Sequence, residues 1–127
     1  MQVLFVEDDP MNRRVVKDML TIVGVSMAEA ADAETGLRMI GESHYDVVLM
    51  DLRMPGMDGL AAIRRIRARP DAKARTPIIV ITADTALDLR ANCLASGADQ
   101  VLEKPVAMNA LFDALGDAID NENHLIM

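Results

Sequence analysis

The chain is short of several features that would each mark a class of protein. Aromatic residues make up only 2% of it and tryptophan is absent, so no platform exists on which single-stranded nucleic-acid bases could stack. Positive charge is not in excess: the net charge is -7, which disfavours non-specific contact with nucleic acid. The lone cysteine, Cys93, cannot make an internal disulfide. That fits a reducing compartment, and its simplest role is that of a small buried hydrophobe. No apolar run approaches the roughly 18 residues that suggest a membrane span. The apolar start Met1–Val6 meets Glu7 too soon for a secretory signal and lacks a basic lead. Neither G-x-G-x-x-G nor G-x-x-x-x-G-K-S/T occurs, which disfavours a nucleotide-binding domain. The expectation is a soluble cytoplasmic protein with no nucleic-acid and no membrane partner.

What the chain does have is apolar residues, 51% of 127, enough to fill a sizeable core in one domain. They come in short runs between turn residues. Val3–Val6, Val25–Ala30, Val47–Met50, Pro77–Thr82 and Val101–Leu102 read as strands. Helical spacing fills the intervals. Asp9 and Pro10 open a helix carrying Val15, Val16, Met19, Leu20 and Val23, and Gly24 ends it. Asp32 caps a second with Leu37, Met39 and Ile40, ending near Ser43. Asp58 or Gly59 starts a third with Leu60, Ile63 and Ile66, which Pro70 stops. The fourth runs from Leu87 to Ser96. The fifth carries Met108, Leu111, Phe112, Leu115 and Ile119, and residues 121–127 read as a frayed tail beyond a core of residues 2–120. A strand–helix unit repeated five times predicts one α/β domain over residues 1–127, a parallel sheet covered on both faces.

Polar residues recur where these strands end: Glu7 and Asp8 after the first, Asp51 after the third, Thr82 after the fourth, Lys104 after the fifth. In a parallel sheet all of them lie along one edge, where α/β folds bind ligands. Converging carboxylates repel, and a hard divalent cation such as Mg²⁺ relieves that while also binding phosphate oxygens. Lys104 suits a phosphoryl group as a mobile point charge, and Thr82 supplies a hydroxyl. The set predicts a metal-assisted phosphoryl site in which Asp51 is a ligand, a nucleophile or both.

Val6-Glu7-Asp8-Asp9, Leu49-Met50-Asp51-Leu52-Arg53-Met54-Pro55-Gly56-Met57-Asp58-Gly59, Ile81-Thr82-Ala83 and Lys104-Pro105 together resemble the receiver (CheY-like) domain of bacterial two-component response regulators. The likeness spans Val3 to about Ile119. It implies a flavodoxin-like (βα)5 sandwich with sheet order 2-1-3-4-5. It implies that Asp51 accepts a phosphoryl group from a phosphohistidine on a histidine kinase or histidine phosphotransfer protein. It implies Mg²⁺, with Mn²⁺ as a substitute, held by Asp8, Asp51, the Arg53 carbonyl and, through water, Glu7. Thr82 and Lys104 would hold phosphoryl oxygens, Ala83 would leave room for them, and Lys104-Pro105 would be a cis peptide. The helix start Asp9-Pro10-Met11-Asn12-Arg13-Arg14-Val15-Val16 also looks like receivers of hybrid kinases and of stand-alone regulators of the DivK type.

Departures from the family pattern carry expectations too. Receivers usually place Tyr or Phe where Val101 stands, and often Phe where Val106 stands, so any switch should lean on the fourth helix and its loops rather than on an aromatic ring. Arg53 and Asp84 follow Asp51 and Thr82 by two residues with opposite charges: either they pair across the site mouth and lengthen the life of the phosphoryl state, or they are two solvated side chains. Arg64, Arg65, Arg67, Arg69, Lys73 and Arg75 lie close together with only Asp71 opposing: either a docking patch for an acidic partner or a solvated helix face. Arg13, Arg14 and Lys17 are either candidates for contact with a phosphotransfer protein or part of a solvated first helix. No DNA-binding or catalytic segment follows Ile119, so if this is the whole protein, the signal would leave through contact with a downstream protein. Two other classes fit the pattern less well. A phosphatase with an aspartyl-phosphate intermediate should carry a second Asp where Arg53 stands, so its general acid is missing. A degenerate binding scaffold would not keep the full site set. The expected role is therefore a phospho-accepting signalling domain rather than an enzyme, with excision from a hybrid kinase as the alternative setting.

Overall fold

The computed structural model describes residues 1–84 and 86–126, the last six of them by main chain alone. Strands β1 (Gln2–Val6), β2 (Ser26–Ala30), β3 (Val47–Asp51), β4 (Ile78–Thr82) and β5 (Gln100–Glu103) alternate with helices α1 (Pro10–Ile22), α2 (Ala33–Glu42), α3 (Gly59–Arg67), α4 (Leu89–Ser96) and α5 (Met108–Ile126). All strand pairs are parallel, in the order β2-β1-β3-β4-β5. This is the expected flavodoxin-like sandwich. Register follows the apolar runs: Val6 lies opposite both Ala30 and Met50, and Asp51 opposite Ile81.

The central strands β1, β3 and β4 have no polar face because each face of the sheet has its own core. Leu4, Val6, Val48, Met50, Ile78 and Val80 point to one side, against Ile40 of α2, Ala62, Ile63 and Ile66 of α3 and Cys93 of α4. Val3, Phe5, Val47, Leu49, Ile79 and Ile81 point to the other, against Val16 and Leu20 of α1 and Leu111, Ala114, Leu115 and Ala118 of α5. Adjacent residues point to opposite faces, so only a sheet covered on both sides buries such runs. Cys93 is fully buried, the role expected of it.

Several boundaries move. α4 begins at Leu89, and Leu87 stands 99% exposed ahead of it. A 3-10 turn, Ala72–Arg75, follows α3. α5 continues through residues expected to fray, reaching Ile126, because extending a formed helix fixes only one residue per added hydrogen bond. Met127 lies outside the described residues. On α1 the apolar stripe is wider than its contact: Val16 and Leu20 are buried, but Met11, Val15 and Ile22, and Val23 at the C-cap, are exposed.

The arginine-rich segment is mostly not a free docking patch. The Arg67 guanidinium donates to the carbonyls of Gly97, Ala74 and Thr76 and pairs with Asp99. Lys73 Nζ caps α2 by donating to the carbonyls of Ile40, Gly41 and Ser43. Arg69 pairs with Asp71, and Arg64 donates to Ser96. Long cationic side chains here satisfy carbonyls at helix and loop ends, which otherwise lack donors.

Candidate functional site

Three consecutive acids after β1 have three different environments. Asp9 is the N-cap of α1 and accepts from Met11 N at 2.8 Å. Asp8 is exposed. Glu7 is 0% exposed, beneath them. Asp51, 4% exposed, is the last residue of β3, and Thr82, 1% exposed, the last of β4. Lys104 follows β5, and its main-chain N donates to Thr82 O at 2.8 Å, which draws it toward the site. The Lys104-Pro105 bond is cis, as expected.

One ligand oxygen each of Glu7, Asp8 and Asp51 lies within 4.8 Å of the others. Lys104 Nζ bridges two of them, at 2.7 Å from Glu7 Oε1 and 3.4 Å from Asp51 Oδ1. Burial, and then the Asp51 carboxyl beside it, push the Glu7 pKa up, against Lys104 and Asn12, which favour its charge. Burial works against the charge on Lys104 as well, but Glu7 and Asp51 together outweigh it and raise its pKa. Glu7 Oε2 is a buried oxygen with no hydrogen-bond partner, the one such side-chain atom among the described residues. An orphaned buried carboxylate oxygen is costly, and a cation or its bound water would satisfy it. The donor set is all oxygen and fits a hard divalent ion.

An acid whose pKa is higher in the folded than in the unfolded chain binds its proton more tightly when folded, so its contribution to stability falls as pH rises through the raised range. With metal removed by a chelator, Glu7→Gln is therefore expected to melt at a higher temperature than wild type near neutral pH, the gap closing as pH falls toward the ordinary glutamate value of 4.5. Thermal melts at matched pH check this, and a pH-independent gap would contradict it.

The turn after Asp51 is held close by packing. An ideal Cβ on Gly59 would lie 2.5 Å from Asp51 O and 2.8 Å from Leu52 Cα. Only glycine lets the start of α3 approach the end of β3 so nearly. Asp58 caps that helix, accepting from Ala61 N at 2.8 Å.

Arg53 and Asp84 do pair, Nη2 to Oδ2 at 2.7 Å, joining the loops after β3 and β4. The bond from Ala86 N and then the Arg53 guanidinium hold the Asp84 pKa down. Asp84 N donates to Thr82 Oγ1 at 3.1 Å, which leaves the Thr82 hydroxyl proton free to donate elsewhere. Ala83 is exposed at the rim, and Val101 packs against the α2–α4 side of the core. The basic residues of α1 are engaged: Arg13 and Lys17 with Glu29, Arg14 with Asp18.

Sequence reasoning missed Asn12. Its Nδ2 donates to Glu7 Oε1 at 2.7 Å. The available signal was a short amide just inside the first turn of α1, easily read as a capping-region residue.

A doubly wound sheet with three carboxylates, a hydroxyl and a lysine on its carboxyl edge defines a protein of the phosphoryl-handling α/β class. The chain belongs to the response regulator receiver domain family, whose model matches residues 3–116. It is 36% identical over 115 residues to the sensor histidine kinase RcsC of Escherichia coli, covering 91% of this chain and 12% of that protein. It is 35% identical over 118 residues to the sensory/regulatory protein RpfC of Xanthomonas campestris, covering 92% of this chain and 16% of that one. The chain thus spans a small part of the curated relatives it matches. The crystal structure of the receiver domain of the sensor histidine kinase PA1611 from Pseudomonas aeruginosa, with magnesium in its active-site cleft, superposes with a TM-score of 0.85 at 37% identity, covering 94% of this chain and 97% of that one.

Proposed function

We propose that Asp51 is the phosphoryl acceptor of this receiver, and that the domain takes its phosphoryl group from a phosphohistidine on a histidine kinase or phosphotransfer protein. One observation carries the reading: a buried carboxylate at the end of β3 shares a lysine with a second buried carboxylate that has an unsatisfied oxygen. In the transfer an Asp51 carboxylate oxygen bonds to phosphorus as the donor's N–P bond breaks, and the electron pair leaves with the imidazole. Lys104 neutralises charge on the phosphoryl oxygens, and the Thr82 hydroxyl donates to one of them. Mg²⁺, with Mn²⁺ as a substitute, would be held by Asp8, Asp51 and the Arg53 carbonyl, with Glu7 through water, and would supply charge neutralisation between acceptor and donor. Incubating wild type and Asp51→Ala with acetyl phosphate and Mg²⁺, and weighing the intact proteins, tests the assignment. Wild type left without phosphoryl mass would overturn it.

The exposed apolar stripe of α1, Met11, Val15 and Ile22, lies on a helix that starts beside the site, and supports it as the docking face for a donor helix. The basic side chains of α1, Arg13, Arg14 and Lys17, are paired with acids of the same domain. The relatives favour a phosphorelay setting within or beside a kinase, and the DivK-like stand-alone setting, with output through a downstream protein, is the second reading. No helix among the described residues is long and apolar enough to cross a membrane, and a cytoplasmic setting agrees with the single buried thiol.

The Arg53–Asp84 pair spans the loops that flank the acceptor, and would hinder a water attacking the phosphoryl group from the open side. Arg53→Ala is expected to shorten the aspartyl-phosphate lifetime by about 3- to 10-fold, the range of one positioned polar contact. Phosphoryl decay followed by mass after the donor is removed checks this, and an unchanged lifetime would sink it.

A further inference from the structure

We propose that Asn12 is a positioning residue for the acceptor site: it keeps Glu7 Oε1 hydrogen-bonded so that Lys104 can leave Glu7 for a phosphoryl group on Asp51. This rests on the acceptor reading of Asp51.

Glu7 Oε1 has two donors, Asn12 Nδ2 and Lys104 Nζ, each at 2.7 Å. They differ in what else can claim them. Lys104 is a charge already 3.4 Å from Asp51 Oδ1. A phosphoryl group there adds strong acceptor oxygens and negative charge, which draw the ammonium away from Glu7. Asn12 is a neutral amide and feels that pull far less. Without it, the departing Lys104 would strip the only donor from a fully buried carboxylate, which resists the move.

The local structure holds Asn12 to this task. Arg13, next to it, donates from Nη1 to the Glu7 carbonyl at 2.7 Å and from Nε to Glu29 at 3.0 Å, so main chain and side chain of Glu7 are gripped by consecutive residues of α1. The Asp9 cap fixes the start of the same helix. With Oε1 tied, the carboxylate cannot rotate freely, and the unpartnered Oε2 keeps its direction.

The test uses Asn12→Leu, which removes the donor, Asn12→Asp, which keeps the shape without a donor, and Asn12→His, whose Nδ1–H can take the amide's place. Three quantities are read: Mg²⁺ affinity by calorimetry, the rate of phosphorylation by acetyl phosphate at saturating Mg²⁺, and melting temperature. Asn12→Leu is expected to bind Mg²⁺ about 10-fold more weakly, as for other partners that orient a metal ligand. It should also remain several-fold slower when Mg²⁺ saturates, because the lysine transfer is impeded. Asn12→Asp should be as impaired, and Asn12→His should recover most of both. The proposal is overturned if Asn12→Leu matches wild type in affinity and saturated rate, or if all three variants lose activity only in proportion to melting temperature. Wild type that never takes a phosphoryl group would refute the acceptor reading instead, and calorimetry would still decide whether Asn12 holds Glu7 for the metal.

Discussion

Asp51→Asn is expected to slow phosphoryl uptake from acetyl phosphate by at least about a thousandfold, the scale seen when a nucleophile is removed. The substitution keeps the shape of the β3 end and removes only the nucleophilic charge. Neither neighbouring acid can replace it. Glu7 is fully buried and its Oε1 is held by Asn12 and Lys104. Asp8 is exposed, and no lysine bonds to it among the described contacts. The same change replaces a charged metal ligand with a neutral amide oxygen, so Mg²⁺ affinity should also fall, by about 10-fold. Intact mass against time, with calorimetry for the metal, reads both effects. A variant that still gains one phosphoryl mass at the wild-type rate would move the acceptor elsewhere.

Arg67→Ala is expected to lower stability by about 2–4 kcal/mol, near the upper end for a single residue outside the hydrophobic core. Arg67 Nε donates to Gly97 O at 2.8 Å, and Nη1 to Ala74 O and Thr76 O at 2.8 and 2.7 Å. Its Nη2 pairs at 3.0 Å with Asp99, whose carboxylate also accepts from Ile78 N at 2.8 Å. One guanidinium therefore ties the end of α3 to the turn before β4 and to the end of α4. Burial pushes its pKa down and Asp99 pushes back. Truncation strands three carbonyls at about 1 kcal/mol each. The Asp99 pair adds less, because that carboxylate is 47% exposed. Arg67→Lys should rescue only a small part, since an ammonium cannot reach acceptors spread around a planar fork. A melting temperature roughly 10 °C below wild type for Arg67→Ala is the corresponding readout, and a drop of only a degree or two would refute the clamp.

The architecture and most of the candidate site are legible in the residue pattern. Three apolar runs of four residues, within a strand–helix pattern repeated five times, admit little besides a parallel sheet with two covered faces, because no single-faced sheet buries both parities of a strand. The polar residues that close those runs then share one edge by topology alone, which is why Glu7, Asp8, Asp51, Thr82 and Lys104 could be named together. The opposite charges of Arg53 and Asp84, each two residues past a strand end, made their pairing legible as well. Contacts that depend on reach between distant segments have no mark in the residue pattern. The arginine-rich stretch looked like a surface because its acceptors are carbonyls, which every residue carries and no sequence pattern marks. Arg67 and Lys73 became clamps only when α2, α4 and the loop before β4 came within a side chain's length. Asn12 escaped notice for a related reason. Its amide matters only because α1 sets it 2.7 Å from a glutamate that burial has deprived of water.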